Sequence, residues 1–201
     1  MTAPQTLVQI AGGSPRIASW QEAVLVIIDH QAEYTTGRVP LTGIDAAVAQ
    51  VAELLRQARA AGAPVIHVVH QSKPGAALFD PQGPGSAIIA GIEPQAGEVV
   101  VGKGLPNSFA GTTLDAELKK TGRQSLVIAG FATHMCVSAT TRSALDHGYA
   151  STVVAAACAT RDLPDPLGGA AIAAADVQRT ALAELADRYA TVVADASALN
   201  R

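Results

Sequence analysis

Short apolar runs recur along this chain, separated by segments with helical spacing, and that alternation restricts the fold more than any other property of the sequence. The first strand is expected at 24–29, where Val24-Leu25-Val26-Ile27-Ile28 runs without a polar residue. Five more are expected near 65–69, 98–102, 125–130, 151–156 and 190–194. Between the first two, Ile44, Val48, Val51, Leu55 and Ala58 recur at helical spacing, and Gly62 with Pro64 ends that helix. Further helices are expected near 112–121, 136–147 and 169–187, the last rich in alanine. Strands alternating with helices predict an α/β fold with a mostly parallel six-stranded sheet covered on both faces. The 201 residues, 49% of them hydrophobic, suffice for one domain spanning 1–201.

One segment breaks the rhythm. Gln71 to Gly97 holds Pro74, Pro81, Pro84 and Pro94 among Gly75, Gly83, Gly85 and Gly91. It reads as a long loop, and loops of that length serve as lids or interface elements. Trp20, just before the first strand, reads as packing.

Charge and motif content exclude several function classes. Fourteen basic residues against 17 acidic ones are scattered without a basic stripe, so nucleic acid is not an expected partner. The stretch Met1 to Leu7 has neither a basic nor an apolar leader region, and no apolar segment approaches the ~20 residues of a membrane span. No membrane partner and a cytoplasmic location are expected. Two cysteines, Cys136 and Cys158, make no disulfide framework. The run Gly97 to Gly104 has phosphate-loop spacing, but Gly104 replaces the magnesium-binding Ser or Thr and the intervening Glu-Val-Val-Val reads as strand. No GxGxxG follows the first strand, so no dinucleotide, and no other cofactor, is expected.

Three reactive side chains remain, each at the carboxyl end of an expected strand, where ligand crevices of open α/β sheets lie. Asp29 closes the first, Lys103 closes Val99-Val100-Val101-Gly102, and Cys136 follows Ser125 to Gly130 at a helix start. A thiol at a helix N-terminus beside a cation is expected to have a lowered pKa and to react as thiolate. An acid, a cation and a thiol together can carry out nucleophilic hydrolysis of an amide. Cys158 ends an apolar strand and reads as packing.

Asp29 in Ile28-Asp29-His30-Gln31, Lys103 followed by Asn107-Ser108-Phe109-Ala110-Gly111-Thr112, and Gly130-Phe131-Ala132-Thr133-His134-Met135-Cys136 resemble the three signature segments of the isochorismatase-like cysteine hydrolases. The likeness runs from about Val24 to Tyr189. It implies a three-layer α/β/α sandwich and thiol-dependent hydrolysis of a small amide or carbamoyl compound, with Asp29, Lys103 and Cys136 as the catalytic set. It also implies an oxyanion hole from the backbone N–H groups of Ala132 and Cys136, with a cis peptide at Phe131-Ala132, and a homodimer or larger closed assembly. Gln31, Tyr34, Phe109, Phe131 and His134 are the candidate substrate-binding residues, with Phe79 a further candidate wall residue. Zinc-binding relatives carry an Asp-x-His pair after the second strand; here Asp80 has no His two residues later, and His67 and His70 read as structural. No metal is expected. The fifth strand also lacks an Asp that many relatives carry near Ala156. The alternatives are hydrolysis of an isochorismatase-type vinyl ether and non-catalytic binding of a small molecule.

Overall fold

In the computed structural model, which describes residues 3–200, six strands form one sheet. They are β1 (Ala23–Ile28), β2 (Val65–His70), β3 (Val99–Lys103), β4 (Ser125–Phe131), β5 (Ala150–Ala159) and β6 (Ala190–Val193). Every neighbouring pair is parallel, in the order β3-β2-β1-β4-β5-β6. The helices are α1 (Leu7–Ile10), α2 (Ile44–Ala60), α3 (Leu114–Lys120), α4 (Ser138–Asp146) and α5 (Ala174–Arg188). Met1 and Thr2, from the stretch read as leader-free, and Arg201 lie outside the described residues.

Side chains on a strand point alternately to opposite faces. The continuous apolar run of β1 therefore feeds two cores. Ala23, Leu25 and Ile27 pack with Val51, Leu54, Leu55 and Ala58 of α2 on one face. Val24, Val26 and Ile28 pack on the other with Leu114 and Leu118 of α3, Ala144 of α4 and Leu185 of α5. All six β1 residues are buried, as a central parallel strand covered on both sides requires. Trp20 joins the α2 core and donates from Nε1 to Gln57 Oε1 at 3.2 Å.

The chain fills one side of β1 with β2 and β3, then crosses to start again at β4 on the other side. Loops leaving β1 and β4 diverge at this switch and open a crevice above their carboxyl ends. Gly130 brings the two strand ends unusually close. Its φ is +121°, and a Cβ there would lie 2.0 Å from the Ile28 carbonyl oxygen.

Three helices start later than their sequence periodicity suggests, each for a local reason. Thr112 Oγ1 accepts from the Leu114 N–H, which keeps the preceding residues in a turn before α3. Residues Thr133–Val137 form a π-helical turn, so α4 proper begins at Ser138. Leu163 and Ile172 pair in an antiparallel bridge, and Asp162 Oδ1 accepts from the Ala174 N–H at the start of α5.

Residues 71–97 form a loop of successive turns, Pro84–Ser86 being a 3-10 helical one, and it is pinned to the body of the fold. Gln31 pairs with Ile88, the Ala32 N–H donates to the Ala87 carbonyl, and the Ile89 N–H donates to the His30 carbonyl. Glu33, buried, accepts from the Arg38 N–H at 2.6 Å and the Phe79 N–H at 3.3 Å. These bonds lay the loop against the segment that follows β1.

Candidate active site

Asp29 follows β1 with φ +50°, a left-handed conformation that Asp tolerates better than most residues. Its N–H still donates to the Val68 carbonyl on β2 at 2.8 Å, so the chain turns out of the sheet at this residue with the carboxylate facing the crevice side. Lys103 is the last residue of β3, in register with His70 at the end of β2. Cys136 lies in the π-helical turn after β4. The three expected catalytic side chains converge. Lys103 Nζ is 2.7 Å from Asp29 Oδ2 and 3.2 Å from Cys136 Sγ. A third acceptor was read from sequence as structural: His70 Nδ1, at 3.2 Å.

The side chains of Asp29 and Lys103 are fully buried. Burial of a charge in low dielectric favours the neutral form, and a nearby opposite charge favours the charged one. For Asp29 burial wins, pushing its pKa up to about 6 against the pull of Lys103. The Cys136 thiol moves further. Burial and the Asp29 carboxylate push it up to about 12, and Lys103 offsets only part of that. The expectation of a lowered thiol pKa is therefore corrected: desolvation and a neighbouring anion outweigh the cation and the helix N-terminus. In the resting site the thiol holds its proton and Asp29 is the group able to accept it. Among the described residues Asp29 Oδ1 has no hydrogen-bond partner, and carboxylate, imidazole and thiol atoms of Asp29, His70 and Cys136 lie within 4.8 Å of one another.

Cys136 opens into a cavity of about 310 Å³, at the small end of the range for small-molecule sites. Tyr34, His134 and Phe79 line it as expected, joined by His70, Leu78, Met135, Ala132 and Arg161. Two expected wall residues do not reach it. Phe131 is fully buried beneath Tyr34, ring centroids 6.0 Å apart, because β4 still points it into the α2 core. Phe109 lies in the opposite layer, stacked on His147 at 4.4 Å: the chain meets the cavity rim at Pro106 and then turns down toward α4. Gln31 is buried and spends its amide on protein, accepting from the His70 N–H at 2.7 Å and donating to the His70 and Ser86 carbonyls at 3.0 and 2.9 Å. It holds His70 and the 71–97 loop in place from behind the wall.

The Phe131–Ala132 peptide is cis. Among the described residues no backbone carbonyl accepts from the Ala132 N–H, whereas the Ala132 carbonyl takes both the Met135 and Val137 N–H groups. Cys158 is buried in the α3/α4/α5 core, as read from sequence, and Ala156, where the resemblance implies an Asp in many relatives, is exposed at an irregular point of β5 away from the cavity.

His67 and His70 sit three apart on β2 and so face opposite sides of the sheet. His67 is wholly buried and links His30 Nε2 at 2.9 Å to Glu98 Oε2 at 2.9 Å, and Arg59 closes the chain on Glu98 at 2.8 Å. Both imidazoles are pushed down by burial, His30 to about 3, so they are neutral links. His67 is structural as expected; His70 belongs to the site. The odd spacing of the two histidines was the available signal.

Residues 23–197 match the isochorismatase domain. The chain belongs to the isochorismatase family. A secreted isochorismatase effector of Verticillium dahliae is 40% identical over 182 residues, covering 90% of this chain and 93% of that protein. Maleamate amidohydrolase of Pseudomonas putida is 33% identical over 155 residues, 69% of this chain and 73% of the relative. The crystal structure of an isochorismatase from Pseudomonas putida superposes with a TM-score of 0.92 at 42% identity, covering 97% of this chain and 99% of that one. The isochorismatase family is a family of hydrolases that includes amidohydrolases, and its α/β fold is the one described here. Among the described residues no helix is long and apolar enough to cross a membrane.

Proposed function

We propose that this chain hydrolyses the C–N bond of a small amide or carbamoyl compound through a Cys136 thioester. The observation that carries the reading is the contact of Lys103 Nζ with both Asp29 and Cys136, beneath a cavity sized for a small molecule. Because the thiol rests protonated, attack and deprotonation are coupled: Sγ bonds to the substrate carbonyl carbon as Asp29 takes the thiol proton. The Ala132 and Cys136 N–H groups receive the developing oxyanion. Collapse breaks the C–N bond, Asp29 returns its proton to the departing nitrogen, and ammonia or an amine leaves. Water, deprotonated by Asp29, then opens the thioester and releases the acid and the free thiol. Lys103 stabilises the charge on sulfur and carboxylate in turn.

Among the described residues Arg161 is the one Lys or Arg on the cavity wall, and no Asp or Glu lining it offsets that charge. That favours a substrate with an acidic arm, consistent with the likeness to an enzyme named for maleamate, itself the amide of a dicarboxylic acid. The test is ammonia release from a panel of neutral amides, acid-bearing amides and carbamoyl compounds, with intact-mass detection of an acyl adduct on Cys136. Turnover of acid-bearing members, lost in Cys136→Ser and weakened at least tenfold in kcat/KM by Arg161→Leu, is the expected result. A panel without turnover or adduct would refute the proposal.

A further inference from the structure

His70 has every property of a working part of the site, and the Asp, Lys and Cys set leaves it without a role. An ammonium has three N–H donors and no acceptor. Those of Lys103 meet three acceptors, Asp29 Oδ2 at 2.7 Å, Cys136 Sγ at 3.2 Å and His70 Nδ1 at 3.2 Å. The shell is complete only with His70. Since Lys103 can only donate, Nδ1 must present its lone pair, and a neutral imidazole then carries its proton on Nε2. Burial first, then the Lys103 charge, hold the His70 pKa down to about 4, so the ring is neutral near neutral pH.

The ring is also held from three sides. Gln31 binds both backbone groups of His70, β2 pairs it with Lys103, and Phe79 packs on it at 4.9 Å between centroids. Among the described residues its Nε2 makes no protein hydrogen bond, and it is not a buried unpaired atom, while the residue lines the cavity. The unpaired donor therefore belongs to a residue on the wall that Cys136 shares.

We infer that His70 has two roles, as the positioning residue that aims Lys103 at Cys136 and as a donor, through Nε2–H, to a carbonyl or carboxylate oxygen of the substrate. The second role rests on the amide-hydrolase reading above; the first does not. The test uses His70→Leu, which removes both nitrogens, and His70→Asn, whose side-chain oxygen can take the place of Nδ1 but leaves nothing at Nε2. Alkylation of Cys136 by iodoacetamide, followed by peptide mapping at fixed pH, reads the Lys103 role without any substrate. His70→Leu should slow it about tenfold, the effect of losing one hydrogen bond to a charged group, and His70→Asn should restore it. With a turned-over amide, both variants should raise KM. Thermal unfolding of each variant verifies that the comparison is made on folded protein. Wild-type alkylation in His70→Leu, or Asn no faster than Leu, would overturn the positioning role. An unchanged KM in His70→Asn, or a wild type that turns over no amide, would overturn the donor role while the alkylation result still decides the other.

Discussion

Replacing Lys103 by Met keeps an unbranched side chain of similar length and deletes only the cation, which makes it the most direct probe of the buried charge cluster. Both side chains of the Asp29–Lys103 pair are fully buried at 2.7 Å. Removing one partner of such a pair costs about 3–5 kcal/mol when the other stays charged. Asp29 has an escape, since it can take a proton. Its folded pKa is already raised to about 6 from 3.8, with Lys103 the strongest influence holding it down. In Lys103→Met it must rise further. A carboxyl that binds its proton more tightly folded than unfolded supports the fold at low pH and loses that support as pH rises through the folded pKa. The penalty should therefore be small at about pH 5, where Asp29 is neutral in the variant, and approach the full 3–5 kcal/mol at about pH 8. Urea unfolding of both proteins at several pH values measures it. A penalty that is constant with pH, or larger in acid, would show that Asp29 is not the partner left unpaired.

On the proposed mechanism the same carboxyl sets the acid limb of activity: kcat/KM should be lost as pH falls through about 6, when Asp29 becomes protonated and can no longer accept the thiol proton, and a pH–rate profile reads it. Iodoacetamide near neutral pH should label Cys136 before Cys158, by peptide mapping, because only Cys136 faces the cavity and Lys103; both should label slowly, since burial raises each thiol to about 12. Gly130→Ala should cost about 4 kcal/mol or more in urea unfolding, because its Cβ would meet backbone atoms of Ile28 in a conformation only glycine adopts freely.

Much of this architecture is legible in the sequence because central parallel strands buried on both faces leave continuous apolar runs, as in β1 and β4, while the edge strands β3 and β6 still carry short valine runs. Helix starts were less so. The bridge between Leu163 and Ile172 and the π turn at Thr133–Val137 are tertiary choices that alanine-rich periodicity does not report. Wall residues failed for a related reason. Phe109 and Phe131 are near the reactive residues in sequence, but which way an aromatic points depends on strand phase and on where the chain turns, and both were turned into cores.

The proposed catalytic trio was legible because Asp29 and Lys103 stand at strand ends and Cys136 in the turn that leaves β4, positions that the apolar runs do mark. Its ionisation states were not. A cation beside a thiol predicts thiolate only if the thiol keeps its water, and the same packing that brings Lys103 within 3.2 Å of Sγ removes that water and sets Asp29 alongside. In the buried cluster the single positive charge is already matched by Asp29, so a standing thiolate would add a second negative charge to a site with one cation. In the mechanism proposed here the proton therefore stays on sulfur until the substrate carbonyl begins to take up the charge. On that proposal Asp29, at about 6, receives it at that moment, and the raised carboxyl and the raised thiol belong to one device.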